Sequence, residues 1–273
     1  MTNHKTSKDD AIYHFSAAAI AAVVNFPLWR ASAIAQSGFK LEGSNVIVKY
    51  YKAVIQPPFR GVLATMFGMT WARAAIFFGS DVGKDYFTSK GYSGTVAYTV
   101  PPLLLGTFVQ VANQPLVRAT ITIQDPSCEL RNTTQALIHV YKQRGIRGLF
   151  HGLTPAVLKT VPKYIVAVAV KDYMEDNLPE ADPNSKYGVL VRSAVKSVAA
   201  GIAGAALTNP LDVIRNEMFK TDLPLRATCR KLMSEEGWAF MGRGLTSNMT
   251  AVAMPIAMTI FLTDLLMSTK KST

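Results

Sequence analysis

A chain of 273 residues has room for one large domain or two small ones. With 49% hydrophobic and only 17% charged residues it is neither a disordered nor a fibrous chain. Lys and Arg (29) outnumber Asp and Glu (18), and the resulting formal charge of +11 suits an anionic partner such as nucleic acid, lipid head groups or a negatively charged solute.

Residues 1–10 (MTNHKTSKDD) contain two acids, no Arg and no apolar core, so they read as a tail and as neither a signal peptide nor a cleavable transit peptide. A helix needs about 20 apolar residues to cross about 30 Å of hydrocarbon. Ala11 to Leu28 meets that length first. Val46 to Ile55 follows as a short, β-branched, helix-like segment that Pro57 and Pro58 stop. Gly61 to Phe78 is apolar but carries Arg73, whereas Ser93 to Val117 is long and uncharged. Thr133 to Arg144 places Leu137, Ile138, Val140 and Tyr141 at near-helical spacing and ends at Gly145.

Leu153 to Val170 carries Lys159 and Lys163, and Val189 to Leu211 is the next long apolar stretch. Leu225 to Glu236 then repeats the short helical pattern, and Leu245 to Met267 closes the series. The count is six spans. Intramembrane charge at Arg73, Lys159, Lys163, Arg192 and Lys196 requires a bundle with a polar interior. Cys128 and Cys229 form no disulfide framework and no metal spacing, so no metal site is expected.

The chain is also periodic. PLWRAS at Pro27, PLVRAT at Pro115 and PLDVIR at Pro210 lie 88 and 95 residues apart. A glycine motif follows each, ending at Gly61, Gly152 and Gly244, with spacings of 91 and 92. Two independent markers with one period indicate three repeats, over residues 11–92, 93–182 and 183–273.

With these residues the chain resembles the mitochondrial carrier family over essentially its whole length. Repeat three matches best, with Pro210, Asp212 and Arg215, then Glu236-Gly237 and Arg243-Gly244. Repeat two keeps Gly145 and Phe150-His151-Gly152, and Gln36 and Gln124 each sit nine residues after their proline. The resemblance implies an all-α membrane protein of six transmembrane helices in three pseudo-threefold repeats with short matrix-side helices. It also implies a multi-pass place in the mitochondrial inner membrane. In the family the prolines kink the odd spans, and their acid and base slots form inter-repeat ion pairs that close the matrix side.

Here those slots are degenerate. The acid slots hold Trp29, Val117 and Asp212, and the base slots hold Ser32, Thr120 and Arg215. In the family's cyclic order Asp212 would face Ser32 and Arg215 would face Val117, so no pair of that ring is expected. Arg30 and Arg118 lie one residue past the slot, about 100° round the helix. The second network, on the cytoplasmic side, reads Asp81 with Lys84, Asp172 with Glu175, and Asp264 with Met267: three acids and one base. By the resemblance, Gly68, Lys159, Thr160 and Val252 are the substrate contact points. The motifs Phe59-Arg60-Gly61, Phe150-His151-Gly152 and Gly242-Arg243-Gly244 would offer helix N-termini to cardiolipin phosphates.

Four histidines without a GxSxG, a P-loop or a metal spacing argue against an enzyme or a nucleic-acid binder, and no catalytic residue is assigned. Since transport needs two gates near balance, loss of the matrix ring leads to the expectation of a transport-impaired accessory subunit. It would serve a larger inner-membrane assembly, such as a respiratory or ATP synthase complex, with bound cardiolipin and no other cofactor. The alternative is an active carrier exchanging a small anionic metabolite across the inner membrane.

Overall fold

The computed structural model describes residues 8–39, 59–181 and 185–271, with isolated positions between 45 and 55. The segment expected over Val46 to Ile55 therefore lies largely outside the described residues. The described chain forms α1 (Lys8–Val24), α2 (Phe26–Ser37), α3 (Val62–Ser89), α4 (Gly94–Thr122) and α5 (Thr133–Leu149). It continues as α6 (Leu153–Leu158), α7 (Thr160–Asn177), α8 (Lys186–Thr221), α9 (Leu225–Glu235), a 3₁₀ turn (Gly237–Gly242) and α10 (Leu245–Lys271). Among the described residues there is no strand.

The first helix begins at Lys8, so the last residues of the expected tail are helical. Asn25 then interrupts the span, and α1 and α2 meet at 57°. Pro27 falls in the first turn of α2, where a missing N–H leaves no helical bond unmade. The other two prolines behave differently: α4 runs on through Pro115 and α8 through Pro210. A helix break accompanies the repeat proline in repeat one, whereas α4 and α8 stay helical through theirs. Neighbouring helices at membrane depth can take up the backbone groups that an internal proline frees.

Among the described residues, four stretches are long and apolar enough to cross a membrane: Gly94–Thr122, Leu153–Asn177, Tyr187–Thr221 and Gly237–Thr263. The bent pair Phe15–Val24 and Phe26–Ser37 makes a fifth. Helix α3 runs for 28 residues and opens on the apolar stretch Val62–Ala72.

The helices close into a ring in chain order. Helix α1 packs on α3, α3 on α4, α4 on α6 and α7, α7 on α8, α8 on α10, and α10 returns to α1 and α2. Two short helices lie outside this ring, α5 against α4 and α9 against α8. The first of them is capped by local chemistry: the Asn132 side chain accepts from the Gln135 N–H at 2.8 Å, and Gly145, at φ 62 and ψ −161, breaks α5.

Polarity is inverted relative to a soluble domain. Leu63, Phe67, Leu104, Phe108, Ile165 and Phe261 point outward, whereas Arg30, Gln36, Arg118, Gln124, Asn209, Asn216 and Glu217 are buried. Apolar exterior and polar interior are what a bilayer selects. The three motif glycines Gly61, Gly152 and Gly244 each precede a helix at positive φ (88°, 78° and 66°). A Cβ at Gly152 would come within 2.6 Å of the Phe219 ring.

Candidate functional site

A cavity of about 410 Å³ occupies the axis of the ring. All three repeats contribute walls: Trp29, Ser32 and Gln36 from α2, Met69 from α3, Gln110, Asn113 and Val117 from α4, Lys159 and Lys163 from the α6–α7 segment, Asp212, Arg215 and Asn216 from α8, and Asn248 and Val252 from α10. The charged wall is lopsided. Asp212 Oδ1 lies 2.6 Å from Lys159 Nζ and 3.2 Å from Arg215 Nη2. Lys163 lines the same cavity and forms no ion pair with a described residue. Three cations therefore face one carboxylate, and a low-dielectric wall amplifies that excess.

The proline-bearing end of the cavity is closed. Its plug takes one buried apolar residue from each repeat, Ala33, Ile121 and Phe219, flanked by Trp29 and Val117. Polar ties join the repeats around it. Arg30 Nε donates to Gln124 Oε1 at 2.6 Å, joining repeats one and two. Arg118 pairs with Asp222, joining two and three, and Arg144 Nη2 reaches the other oxygen of Asp222 at 3.0 Å. Gln36 donates to Asn209 at 2.9 Å and accepts from Asn216 at 3.0 Å, joining one and three.

None of these ties is a pair of the family's ring; they run between other side chains. Asp212 does not turn to Ser32 but to Lys159 of repeat two, and Arg215 stays on Asp212 rather than at Val117. The reason is reach: Arg30 and Arg118 are long enough to recover the rotation of one helical residue, and in the interior their desolvated charge demands a partner. Asp222, beyond the end of α8, was not legible as that partner. The signal that could have pointed to the arginines is their common offset of three residues from Pro27 and Pro115.

The remaining expected residues divide. Of the contact points, Lys159 and Val252 line the cavity. Gly68 borders an adjoining pocket, and a Cβ on Gly106 would lie 3.3 Å from the Thr160 methyl, so Thr160 packs against α4. At the opposite end Lys84 Nζ sits 4.3 Å over the Tyr98 ring, and Asp172 is exposed. Glu175, in a base slot, draws in Arg192 at 2.5 Å together with Lys196, both from α8. The side chains of Asp81 and Asp264 lie outside the described residues.

The glycine motifs turn their bases inward. Arg60 Nη2 donates to the Cys128 carbonyl at 2.8 Å and also to that of Leu130. Arg243 holds Glu217 at 2.7 Å, Glu236 at 2.5 Å and the Gln36 carbonyl at 2.9 Å. Lys231 of α9 is the second cation on Glu217, at 2.7 Å, and that contact raises its pKa. The His151 carbonyl accepts from Gln114 at 2.7 Å. Burial, then the neighbouring Arg118, hold the His151 imidazole below its usual pKa. Phe59 is exposed, Phe150 half-buried and Gly242 exposed.

A ring of paired spans with a short helix outside it after the second and third odd spans is a specific architecture, and sequence comparison gives it a name. The family model described as mitochondrial carrier protein matches residues 97–182 and 188–272. The chain belongs to the mitochondrial carrier family. The chain is similar to the chloroplastic protein mitoferrin-like 1 of Arabidopsis thaliana, at 24% identity over 74% of this chain and 52% of that protein. It is also similar to the mitochondrial basic amino acids transporter of Bos taurus, at 22% over 75% of this chain and 70% of that one. A third relative, the mitochondrial coenzyme A transporter of Xenopus tropicalis, is 25% identical over 97% of this chain and 87% of its own. The chain thus spans about half of the first of these relatives and most of the third.

Proposed function

We propose that this protein is a solute carrier of the mitochondrial inner membrane and that its substrate is a small organic anion. The observation that carries the reading is the cavity wall, where Lys159, Lys163 and Arg215 outnumber Asp212. Relatives named for coenzyme A and for basic amino acids both move solutes. Two excess positive charges repel a cationic amino acid and attract an anion. The expectation of an accessory subunit rested on a lost matrix gate, and the ties through Arg30, Arg118 and Gln36 remove that premise. Cardiolipin phosphates remain proposed ligands of the backbone N–H groups after Gly61, Gly152 and Gly244, where the arginines take no part.

Purified protein in liposomes should take up at least one of succinate, citrate or phosphoenolpyruvate saturably. Lys163→Ala, which breaks no ion pair with a described residue, should reduce that uptake at least tenfold while leaving the protein folded. Absence of saturable uptake of all three probes, with a co-purifying membrane complex, would restore the accessory reading.

A further inference from the structure

Beside the main cavity lies a second pocket of about 80 Å³ between α2, α3 and α4. The two adjoin, with Trp29, Thr65, Met69, Asn113 and Val117 lining both. Its far wall is Ala64, Gly68 and Leu116, on the side of α3 away from the outward-facing Leu63 and Phe67. Two of the polar side chains on its walls, Asn113 and Thr65, are already engaged. Asn113 Oδ1 accepts from Trp71 Nε1 at 2.8 Å, its amide donates to the Gly68 carbonyl at 3.1 Å, and the Thr65 hydroxyl donates to the Gly61 carbonyl at 3.3 Å.

The apolar character comes from the substitutions that degrade the charge ring. Trp29 and Val117 stand in acid slots and Thr120 in a base slot, and all three line this pocket. Charged side chains at those positions would fill it or wet it.

Resting on the anion reading above, we infer that the substrate is an amphipathic organic anion. Its anionic head faces Lys159, Lys163 and Arg215, and a small apolar end lodges between Trp29, Met69 and Leu116. Two net positive charges match a dianionic head, such as a phosphate monoester. The pocket is about half the size of an engineered apolar cavity of about 150 Å³ that holds benzene, which is room for a branched alkyl or short thioether end. An end of that kind is buried from water without asking the wall for a hydrogen bond.

The test uses the full chain in mild detergent with two alkyl phosphates that differ only in the tail, methyl phosphate and isobutyl phosphate, with dissociation constants from calorimetry. Each buried methylene contributes about fourfold in affinity, as an upper bound. Isobutyl phosphate should therefore bind at least about tenfold more tightly than methyl phosphate. Ala64→Leu, which fills the pocket, should abolish that ratio and leave methyl phosphate binding intact. Leu116→Ala, which enlarges it, should move the preference to benzyl phosphate, and serves if the filled variant does not fold. Equal binding of the first two probes overturns the inference and leaves the anion reading standing. Binding of neither overturns both.

Discussion

Asp222→Asn is the sharpest probe of the ties that close the proline-bearing end. Asp222 is the one described non-glycine residue at positive φ, 57°, and asparagine tolerates that conformation, so the substitution removes charge without straining the backbone. It leaves Arg118, with a side chain only 3% exposed, without its carboxylate, although its guanidinium still lies 5.0 Å from the Phe219 ring. Breaking a buried pair by removing one partner costs about 3–5 kcal/mol. Asp222 is 23% exposed and Arg144 is 46% exposed, so solvent screens part of that and about 2 kcal/mol remains. For a chain of this size that corresponds to a fall in Tm of about 4–8 °C. Thermal unfolding in mild detergent, run as a double-mutant cycle with Arg118→Met, measures it. The double variant should lose at least about 1 kcal/mol less than the sum of the singles, because it leaves no unpaired buried charge. Strict additivity, or a single-variant loss under about 0.5 kcal/mol, would refute the reasoning.

Further outcomes follow from the same region. Gly152→Ala and Gly91→Ala share a φ of 78°, but a Cβ meets Phe219 at 2.6 Å in the first and nothing within 4 Å in the second. Gly91→Ala should lose about 1 kcal/mol from backbone conformation alone and Gly152→Ala at least about 2 kcal/mol, as read by Tm; equal losses would remove the clash from the account. His151 titrates below its ordinary pKa of about 6.5 in the folded chain, so as pH falls the unfolded chain takes up the proton first. Its contribution is complete above about pH 6.5 and is lost from there down through the lower folded value. Tm should accordingly drop between about pH 6.5 and 5 more steeply in the natural chain than in His151→Gln, and parallel slopes would exclude the imidazole as the cause.

Much of the fold is local and was therefore legible. Apolar length marked the spans, the recurrence of Pro27, Pro115 and Pro210 marked the repeats, and amphipathic spacing before Gly145 marked α5. Even so, the span judged weak at Leu153 to Val170 passes as a crossing helix, while the one starting at Ala11 is broken at Asn25. Whether a helix bends depends on what can satisfy the freed backbone groups, and that is a property of neighbours.

The sequence by itself determined the membrane class, the three repeats, the recurring glycines, and which ring slots had lost their charge, because each is written in residue type at fixed spacing. Only the tertiary structure decided who pairs with whom. Lys159 is bound to Asp212, Arg30 to Gln124, Arg118 to Asp222, and Lys163 lines the cavity with no such tie to a described residue. A long cation can reach partners over a turn of helix in any direction, and the cost of leaving it unpaired in the interior selects whichever acceptor the packed helices bring within hydrogen-bond distance.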